Sequence, residues 1–569
     1  MASDETVQDL RARVDALERS LREAQASNSR LLAHLTLVDK RLLGIERNRV
    51  FRLWGAVWRR VIAMRNGRRP PGSGSRDTAY RQWIAQVESP AWAGFTSTPR
   101  APALISVLTR DVETVRSTLE QQTYTNWEVT ANVASASGEY VLFLNGSGRM
   151  PNYALAAMAQ GAAAFHADLL YADEDHLDDA GHRTAPVFKP AWSPELLRST
   201  PYLGAPLLVR RELLVSLGTV DGLDSDHGLY GLAVAISSRT DRIVHVPVVL
   251  FHRNETNDSS MAHKSVAPEH TDGEQNRLAV IVCSRNPNLL RRCLRAVVGS
   301  ARAPLQLIAV EHRLGGPDPE MTRVVGEFGA VSVPWYGAFN FAAMNNAGAS
   351  LATAPYLLFL NDDVTVAGAG WAAKVIRELA NPNIGVAGSV LRYPGGSVQH
   401  AGIVLGIGDG VGHVARFETD TPLWPWLRLT RDVSAVTGAF FAVGSQLFRE
   451  LGGFDPAFPN NYNDVDFCLR ARAAGFRVVC VANSEIVHEE CKTRPGLTYL
   501  AERERLYARW GNHIGEADPY YSPNLAASER VTFSSPADHP LAYLSTVTEG
   551  DGPSHWPLRY NPVGRKENP

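Results

Sequence analysis

Three stretches hold residue types that can do chemistry together. FLNDDV sets Asp362 and Asp363 directly behind an apolar run. Carboxylates at a strand end can take a hard divalent cation and, with it, the oxygens of a diphosphate. Further on, FPNNYNDVDFCLRARAAGF places Asp464 and Asp466 ahead of an amphipathic helix, so one of them can face a pocket from the helix amino end. The competing reading of that pair is helix capping. His488 follows in IVHEECKTR, behind a strand-like run at 476–481, and no second His stands four residues on as a zinc-protease helix would require. Taken singly, an acidic turn, a capping pair and a structural histidine are each ordinary.

These residues need a frame. Short apolar runs at 278–284, 305–310 and 356–360 alternate with helical segments, which implies βα units and a mainly parallel sheet. Ligands of such sheets sit at the strand carboxyl ends, where Asn361-Asp362-Asp363 fall. The first half repeats the order more sparsely, with runs at 104–109 and at 140–144, the latter ending at Asn145.

Composition narrows the class. The 569 residues are 45% hydrophobic and 20% charged, enough for more than one packed core and unlike a disordered polymer. With 57 Lys+Arg against 59 Asp+Glu the net charge is -2, so no global field favours a nucleic-acid partner. Cys283, Cys293, Cys468, Cys480 and Cys491 form an odd, sparse set without a C-x-x-C pair. That argues against a disulfide framework or a zinc knuckle and for a reducing, cytoplasmic setting. The polar amino terminus carries no signal-peptide core, and no run of about 18 apolar residues would span a membrane.

The amino-terminal stretch has its own period. Val7, Leu10, Val14, Leu17, Leu21, Ala24, Asn28, Leu31, Leu35, Val38, Leu42 and Ile45 step by three and four, the seam of a coiled coil. Val14 at a, Leu10, Leu17 and Leu31 at d, and Asn28 at a favour two parallel strands, hence a homodimer; a helix lying on its own globular part is the alternative. Residues 46–69 then carry eight arginines against Glu46, interleaved with Phe51, Trp54, Trp58 and Val61. Such a strip can lie in the headgroups of an anionic membrane, and it can equally dock on another domain. NGRRPPGSGSR at 66–76 reads as a hinge.

The order of the pieces carries a family resemblance. AVIVCSRNPNLLRRCL, FNFAAMNNAGASLATAPYLLFLNDDV, VQHAGIVLG, VTGAFFAVGSQLFRELGGFD, NDVDFCLR, VHEECKTR and DPYYSPNL follow one another across 279–525. Together they resemble the inverting glycosyltransferases of family 2, which have a GT-A fold, and most of all bacterial enzymes that build surface polysaccharides. The resemblance implies that Asn361-Asp362-Asp363 is the D-x-D element, with Asp363 nearest a Mn or Mg ion and His488 reaching the same metal. It makes Asp464 the general base that takes the acceptor hydroxyl proton, in a single displacement that inverts the anomeric centre. Ser284, Arg285, Asn286, Glu311, Asn345, Asn346, Gly348 and Asn361 would meet a nucleotide-sugar donor, UDP- or dTDP-linked. Thr437, Gly438, Ala439 and Asp466 would line the acceptor side, and Trp335, Tyr336 and His400 are further candidates for pocket shape. The acceptor implied is a growing, lipid-linked cell-surface glycan, with the protein at the cytoplasmic face of the membrane and the sugar a hexose or deoxyhexose.

TLEQQTYTNWEV, LLYADEDHLDDAGHR and FKPAWSPELLRSTPYLG resemble the same family in the first half, with losses. Between Trp127 and Tyr140 there is no room for the strand, helix and turn of a nucleotide site, and Asn145-Gly146-Ser147 replaces the acids. The region around His227 lacks the helix-leading acids, and Asp173, Glu174 and Asp175 read by default as a solvated turn. The fold class expected is therefore α/β, with two tandem GT-A domains of Rossmann-like, mainly parallel sheets behind a coiled-coil helix. Its boundaries are 1–48 for the coiled coil, 49–76 for the basic segment and hinge, 77–262 for a degenerate domain, 263–530 for the catalytic domain and 531–569 for a tail. A non-catalytic glycan-binding or scaffold protein of a polysaccharide assembly complex is the rival. A membrane-embedded processive synthase is disfavoured because Leu506 stands where Q-x-x-R-W, ending at Arg509-Trp510, needs glutamine. Nucleotidyl transfer is disfavoured because CSRNPN is no glycine-rich phosphate loop.

Overall fold

The computed structural model describes residues 73–93, 95, 103–108, 112–144, 147–218, 226–254, 276–313, 315–408, 410–419, 421–489, 499–515 and 517–534. The heptad seam, the basic aromatic strip, Asn145, Gly146, Cys491 and the tail beyond 534 lie outside the described residues. Among the described residues no helix is long and apolar enough to cross a membrane, and Cys283, Cys293, Cys468 and Cys480 are free thiols.

The second sheet is built from β9 to β15 and β18 to β20. In chain order these are β9 (Leu278–Ser284), β10 (Leu305–His312), β11 (Val331–Trp335), β12 (Tyr356–Asn361), β13 (Val364–Val366), β14 (Ile384–Arg392), β15 (Val398–His400), β18 (Arg431–Asp432), β19 (Phe440–Gly444) and β20 (Arg477–His488). Its order is β11-β10-β9-β12-β19-β14-β20-β13, with β15 on β14 and β18 on β20. The four strands β11, β10, β9 and β12 are parallel, as the βα spacing implies. Beyond them β19 runs antiparallel between β12 and β14, so the sheet as a whole is mixed. A small hairpin, β16 (Ile403–Leu405) with β17 (Val411–His413), stands beside it.

The residues explain the elements. LAVIVCS in β9 sends Leu278, Val280 and Val282 into one core and Ala279 and Ile281 into the other. A strand buried on both faces reads as a continuous apolar run. The following helix, Pro287–Ser300, is capped by Asn286, whose side chain accepts from the Asn288 and Leu289 N–H groups, and has Pro in its first turn. Leu290, Cys293, Leu294 and Val297 bury at helical spacing against the sheet.

The first sheet comprises β1 (Ile105–Leu108), β2 (Trp127–Thr130), β3 (Tyr140–Phe143), β4 (Gly148–Arg149), β5 (Leu169–Leu177), β6 (Arg183–Val187), β7 (Leu207–Arg210) and β8 (Ile243–Asn254). Its order, β2-β1-β3-β7-β5-β8-β4 with β6 on β5, repeats the second sheet without β11 and β18. Where the second domain uses residues 306–355 for strand, helix, strand and helix, the first uses 128–139 for the rest of β2 and a single 3-10 turn, Val133–Ser135. Glu128 ties that turn down by accepting from Ser106 Oγ, Ser137 Oγ and Ser137 N, bonds that draw its carboxyl down to about 2.

Three expectations change. Residues 73–76, read as hinge, open the helix Ser73–Trp83, because Tyr80 and Trp83 further along it are buried and hold the segment in place. Asp173, Glu174 and Asp175 are not a solvated turn but part of β5, all three buried. The start of the tail is no appendage either. Phe533 stacks on Tyr80 and Trp83, and Trp83 Nε1 donates to Ser534 Oγ at 3.3 Å.

The two sheet domains share one apolar cluster that includes Tyr80, Trp83 and Tyr202 from one side and Trp424, Trp426 and Tyr521 from the other. Polar bonds reinforce it. Asp432 accepts from Ser193 Oγ at 2.7 Å and from Glu195 N at 3.0 Å, while Arg477 joins Asp432 at 2.7 Å to Glu195 at 2.9 Å. Asn524 donates to Asp173 Oδ2 at 2.9 Å. Charges buried this deep are tolerated because each finds an opposite charge and hydrogen bonds.

Candidate active site

Three parallel strands end side by side and set the floor of the site. Ser284 pairs with Glu311 across β9 and β10, and Cys283 with Asn361 across β9 and β12. The chain then turns through Asp362 and Asp363 into β13, where Val364 pairs with His488. Glu489 N donates to Asp363 O at 3.2 Å, closing the turn against the end of β20. His488 is therefore the last residue of a strand rather than part of a following loop.

This register brings Asp363 Oδ1 to 3.1 Å from His488 Nε2, both side chains buried. Asn361 Nδ2 lies 3.4 Å from the same nitrogen. One tautomer cannot serve both neighbours, since the carboxylate needs a proton on Nε2 and the amide N–H needs a lone pair. A cation held between Asp363 and His488 would take the Nε2 lone pair and a carboxylate oxygen in place of that proton, on the mixed imidazole and carboxylate donors that divalent metals accept. Among the described residues no group of three or more His, Cys, Asp or Glu can hold an ion unaided, so oxygens of a bound diphosphate would have to complete the shell.

Asp362 is turned to the donor side. Ser284 Oγ donates to its Oδ2 at 2.6 Å, and burial pushes its carboxyl up to about 6 against that bond. Arg285 is exposed beside it, while Asn286 is occupied as the helix cap. Glu311 is buried and held by Arg313 at 2.6 Å and by Ser332 Oγ. Asn345 is buried, donates to Phe341 O at 2.9 Å and leaves its Oδ1 without a partner.

Two donor-side residues turn out to be packing residues. Asn346 donates to Phe454 O at 2.7 Å and accepts from Phe454 N at 2.9 Å, which uses both ends of its amide. Gly348 lets its helix, Phe341–Ala349, lie close on the sheet: a Cβ there would collide with Ile281 and Val310.

Across the strand ends, the loop 437–439 enters β19. Ala439 O accepts from Asn361 N at 3.1 Å, which ties this loop to the Asp362 turn. Asp464 reaches the same loop from the first turn of the helix Asn463–Ala473. Its Oδ2 accepts from Gly438 N at 2.6 Å and its Oδ1 from Val465 N at 2.8 Å. Tyr462, at φ 60°, makes the sharp entry into that helix. Asp464 is half-buried, oriented by two backbone donors at a helix amino end, the arrangement a positioned base requires.

Asp466, expected on the acceptor side, is engaged within the protein. It is fully buried and accepts from Arg470 Nε at 2.8 Å, Arg509 Nη1 at 2.7 Å and Trp510 Nε1 at 3.0 Å. Its work is to lock its own helix to the helix Tyr499–Gly515. Arg509-Trp510 thus has a structural partner that sequence reasoning did not assign, since Asp466 and Arg509 stand 43 positions apart.

His400, noticed only as a shape residue, lies beneath the 437–439 loop. Burial holds it well below the usual histidine range, with His413 and Arg431 pushing the same way, so it is neutral. Trp335 Nε1 donates to Ala338 O at 3.0 Å, and Tyr336 stands exposed beside Arg313.

The first domain fills the corresponding place with its own charges. Tyr140 and Tyr356 pair with equivalent residues of β1 and β9, which sets Ser147 opposite Asp363 and Gly148 opposite Val364. Gly148 pairs with Arg253 where Val364 pairs with His488, and Asn254 N donates to Ser147 O at 3.0 Å as Glu489 N does to Asp363 O. A guanidinium therefore stands in the position of the imidazole. Arg253 lies 3.0 Å from Glu174, which also meets the fully buried Lys189 at 3.3 Å. Burial raises the Glu174 carboxyl and the two cations outweigh it, leaving the group below its ordinary value.

Residues 413–513 match the family described as "Glycosyltransferase like family 2". The chain is 30% identical over 517 residues to the O-antigen biosynthesis protein RfbC of Myxococcus xanthus, an alignment that takes 80% of this chain and 40% of that protein. It is 26% identical over 457 residues to the uncharacterized protein y4gI of Sinorhizobium fredii, covering 69% and 49%. The chain thus spans half or less of the length of these curated relatives. Solved structures similar in part are GalNAc-T7 with UDP, GalNAc and Mn2+ and the mannosyltransferase PcManGT from Pyrobaculum calidifontis with GDP-Man and Mn2+. The first has a TM-score of 0.34 at 13% identity over 42% of this chain and 50% of that one. The second has a TM-score of 0.29 at 17% identity over 43% and 67%.

Proposed function

We propose that the chain carries a glycosyltransferase domain of the family-2 type and moves one hexosyl or deoxyhexosyl unit from a UDP- or dTDP-sugar onto a growing surface glycan, a reading supported by the match of residues 413–513 and by the O-antigen relative. The observation that carries this reading is the approach of Asp363 to His488 at 3.1 Å, with Asp464 oriented by Gly438 N of the loop whose Ala439 O holds Asn361 N. Asp363 and His488, with Asp362 adjacent, would hold a Mn or Mg ion. When bound, such an ion supplies positive charge for the departing nucleoside diphosphate. Ser284, Arg285 and Glu311 bind the donor from the strand ends, Glu311 after release from Arg313. Asp464 takes the acceptor hydroxyl proton at its carboxylate as the oxygen attacks the anomeric carbon, and no covalent enzyme intermediate is formed. Displacement in one step inverts that carbon.

The first domain acts as a non-catalytic partner of the second, held to it by the Asp432, Arg477 and Asn524 bonds. The relative named for O-antigen biosynthesis supports a polysaccharide acceptor, here a lipid-linked glycan at the cytoplasmic membrane face. A homodimer through residues 1–48 and headgroup binding by the basic strip at 46–69 would keep the enzyme there. The test is to incubate the purified protein with Mn and a panel of nucleotide sugars and follow nucleoside diphosphate release. Release from one donor, abolished by Asp363→Ala, is expected; release that Asp363→Ala leaves intact overturns the reading.

A further inference from the structure

His400 closes β15 with its ring fully buried. Gly402 N donates to its Nε2 at 3.3 Å and Thr437 N at 3.4 Å. Nε2 therefore carries a lone pair and the ring proton sits on Nδ1, which donates to Nδ1 of half-buried His413 at 2.8 Å. The two rings meet edge to face, centroids 5.0 Å apart. One residue beyond Thr437, the Gly438 N–H donates to Asp464 at 2.6 Å. A path of bonds thus runs from His413 through His400 to the Thr437 amide, one residue before the amide that orients the carboxylate.

The first domain shows what happens where that carboxylate is not served. Leu391 pairs with His400 in the second domain and Glu174 with Val187 in the first, and both Leu391 and Glu174 sit at matching places on their central strands. Val187 is therefore the counterpart of His400, and Leu203 that of Thr437. An apolar side chain suffices to pack this corner. A buried imidazole is retained only where its lone pair has a loop to hold, since burying it without partners is costly.

We propose that His400 is a positioning residue of the transfer reaction, holding the Thr437 amide and with it the adjoining Gly438 amide that fixes Asp464. The inference rests on Asp464 being the base. His400→Leu removes the acceptor atom at similar volume, and misplacement of a catalytic group by about 1 Å costs up to about 10²-fold in rate. The expected result is kcat for transfer lowered at least about tenfold, with donor KM and calorimetric affinity for the nucleoside diphosphate with Mn unchanged. His400→Gln, whose Oε1 can take the place of Nε2, restores most of kcat, whereas His400→Asn, one methylene shorter, does not. Wild-type kcat in His400→Leu, or equal turnover in the Gln and Asn variants, overturns the proposal; the Gln and Asn pair decides it if His400→Leu does not fold. Asp464→Asn assayed in parallel separates the two readings. Loss there with normal turnover in His400→Leu defeats the positioning role alone, and wild-type turnover in Asp464→Asn defeats the base and the positioning role together.

Discussion

The two sheets share an order and a register, yet they treat the same corner in opposite ways. In the second domain Asp363 faces His488 at 3.1 Å, the pair proposed above to hold a cation. In the first, Ser147 offers no carboxylate, Arg253 replaces the imidazole, and Lys189 with Glu174 fills the space under Gly204, where a Cβ would collide with Glu174. The donor-side strand and helices are reduced to one turn secured by Glu128. The contrast is one of replacement as much as absence, since Arg253 stands where the second domain has His488. Internal cations now satisfy the acids that remain, and the strand that carries them has become part of an interface.

Experiments can sharpen that contrast. The largest effect is expected from Asp464→Asn, which should lower kcat by about 10²- to 10⁴-fold with little change in donor affinity. Steady-state rates set beside calorimetry check it, and weakened nucleotide binding at normal turnover would reassign the residue to the donor. In the first domain the expected damage is to stability. Lys189→Met strips a fully buried partner from Glu174 and should cost about 3 kcal/mol, read from urea unfolding. Arg198 is the mild case: it pairs with Glu378 at 2.7 Å but is more than half exposed, so Arg198→Ala should shift stability by less than about 1 kcal/mol. The smallest effect tests the comparison most directly. Ser147→Asp restores a carboxylate beside Arg253, and Mn titration followed by calorimetry in the presence of nucleoside diphosphate should still count one site per chain. A second site would show that the guanidinium does not block cation binding.

Much of the second domain was legible because its chemistry is local. Asp362 and Asp363 end an apolar strand, Asp464 opens a helix, and Leu278–Ser284 announces a doubly buried strand by composition alone. His488 was legible as a type in a motif, while its meeting with Asp363 depends on β13 pairing with β20. Where the reading failed, the partner was remote. Asp173 looked solvated because nothing near it in sequence neutralises it, whereas its partners are His245, at 2.8 Å, and Asn524, 351 positions away. Asp466 and Asn346 failed likewise, since an acid or amide in a family motif has the same letter whether it meets a ligand or Arg509 and Phe454. Gly348 is informative only once the distance between helix and sheet is known.

The bond from Asn524 to Asp173 and the packing of Phe533 on Tyr80 and Trp83 also bear on how the chain is made. Synthesis delivers the amino-terminal domain first, and such domains commonly fold as they emerge. Here the last components of that domain are encoded behind the whole of its neighbour. Asp173 and that aromatic face therefore lack these partners until residue 534 has left the ribosome.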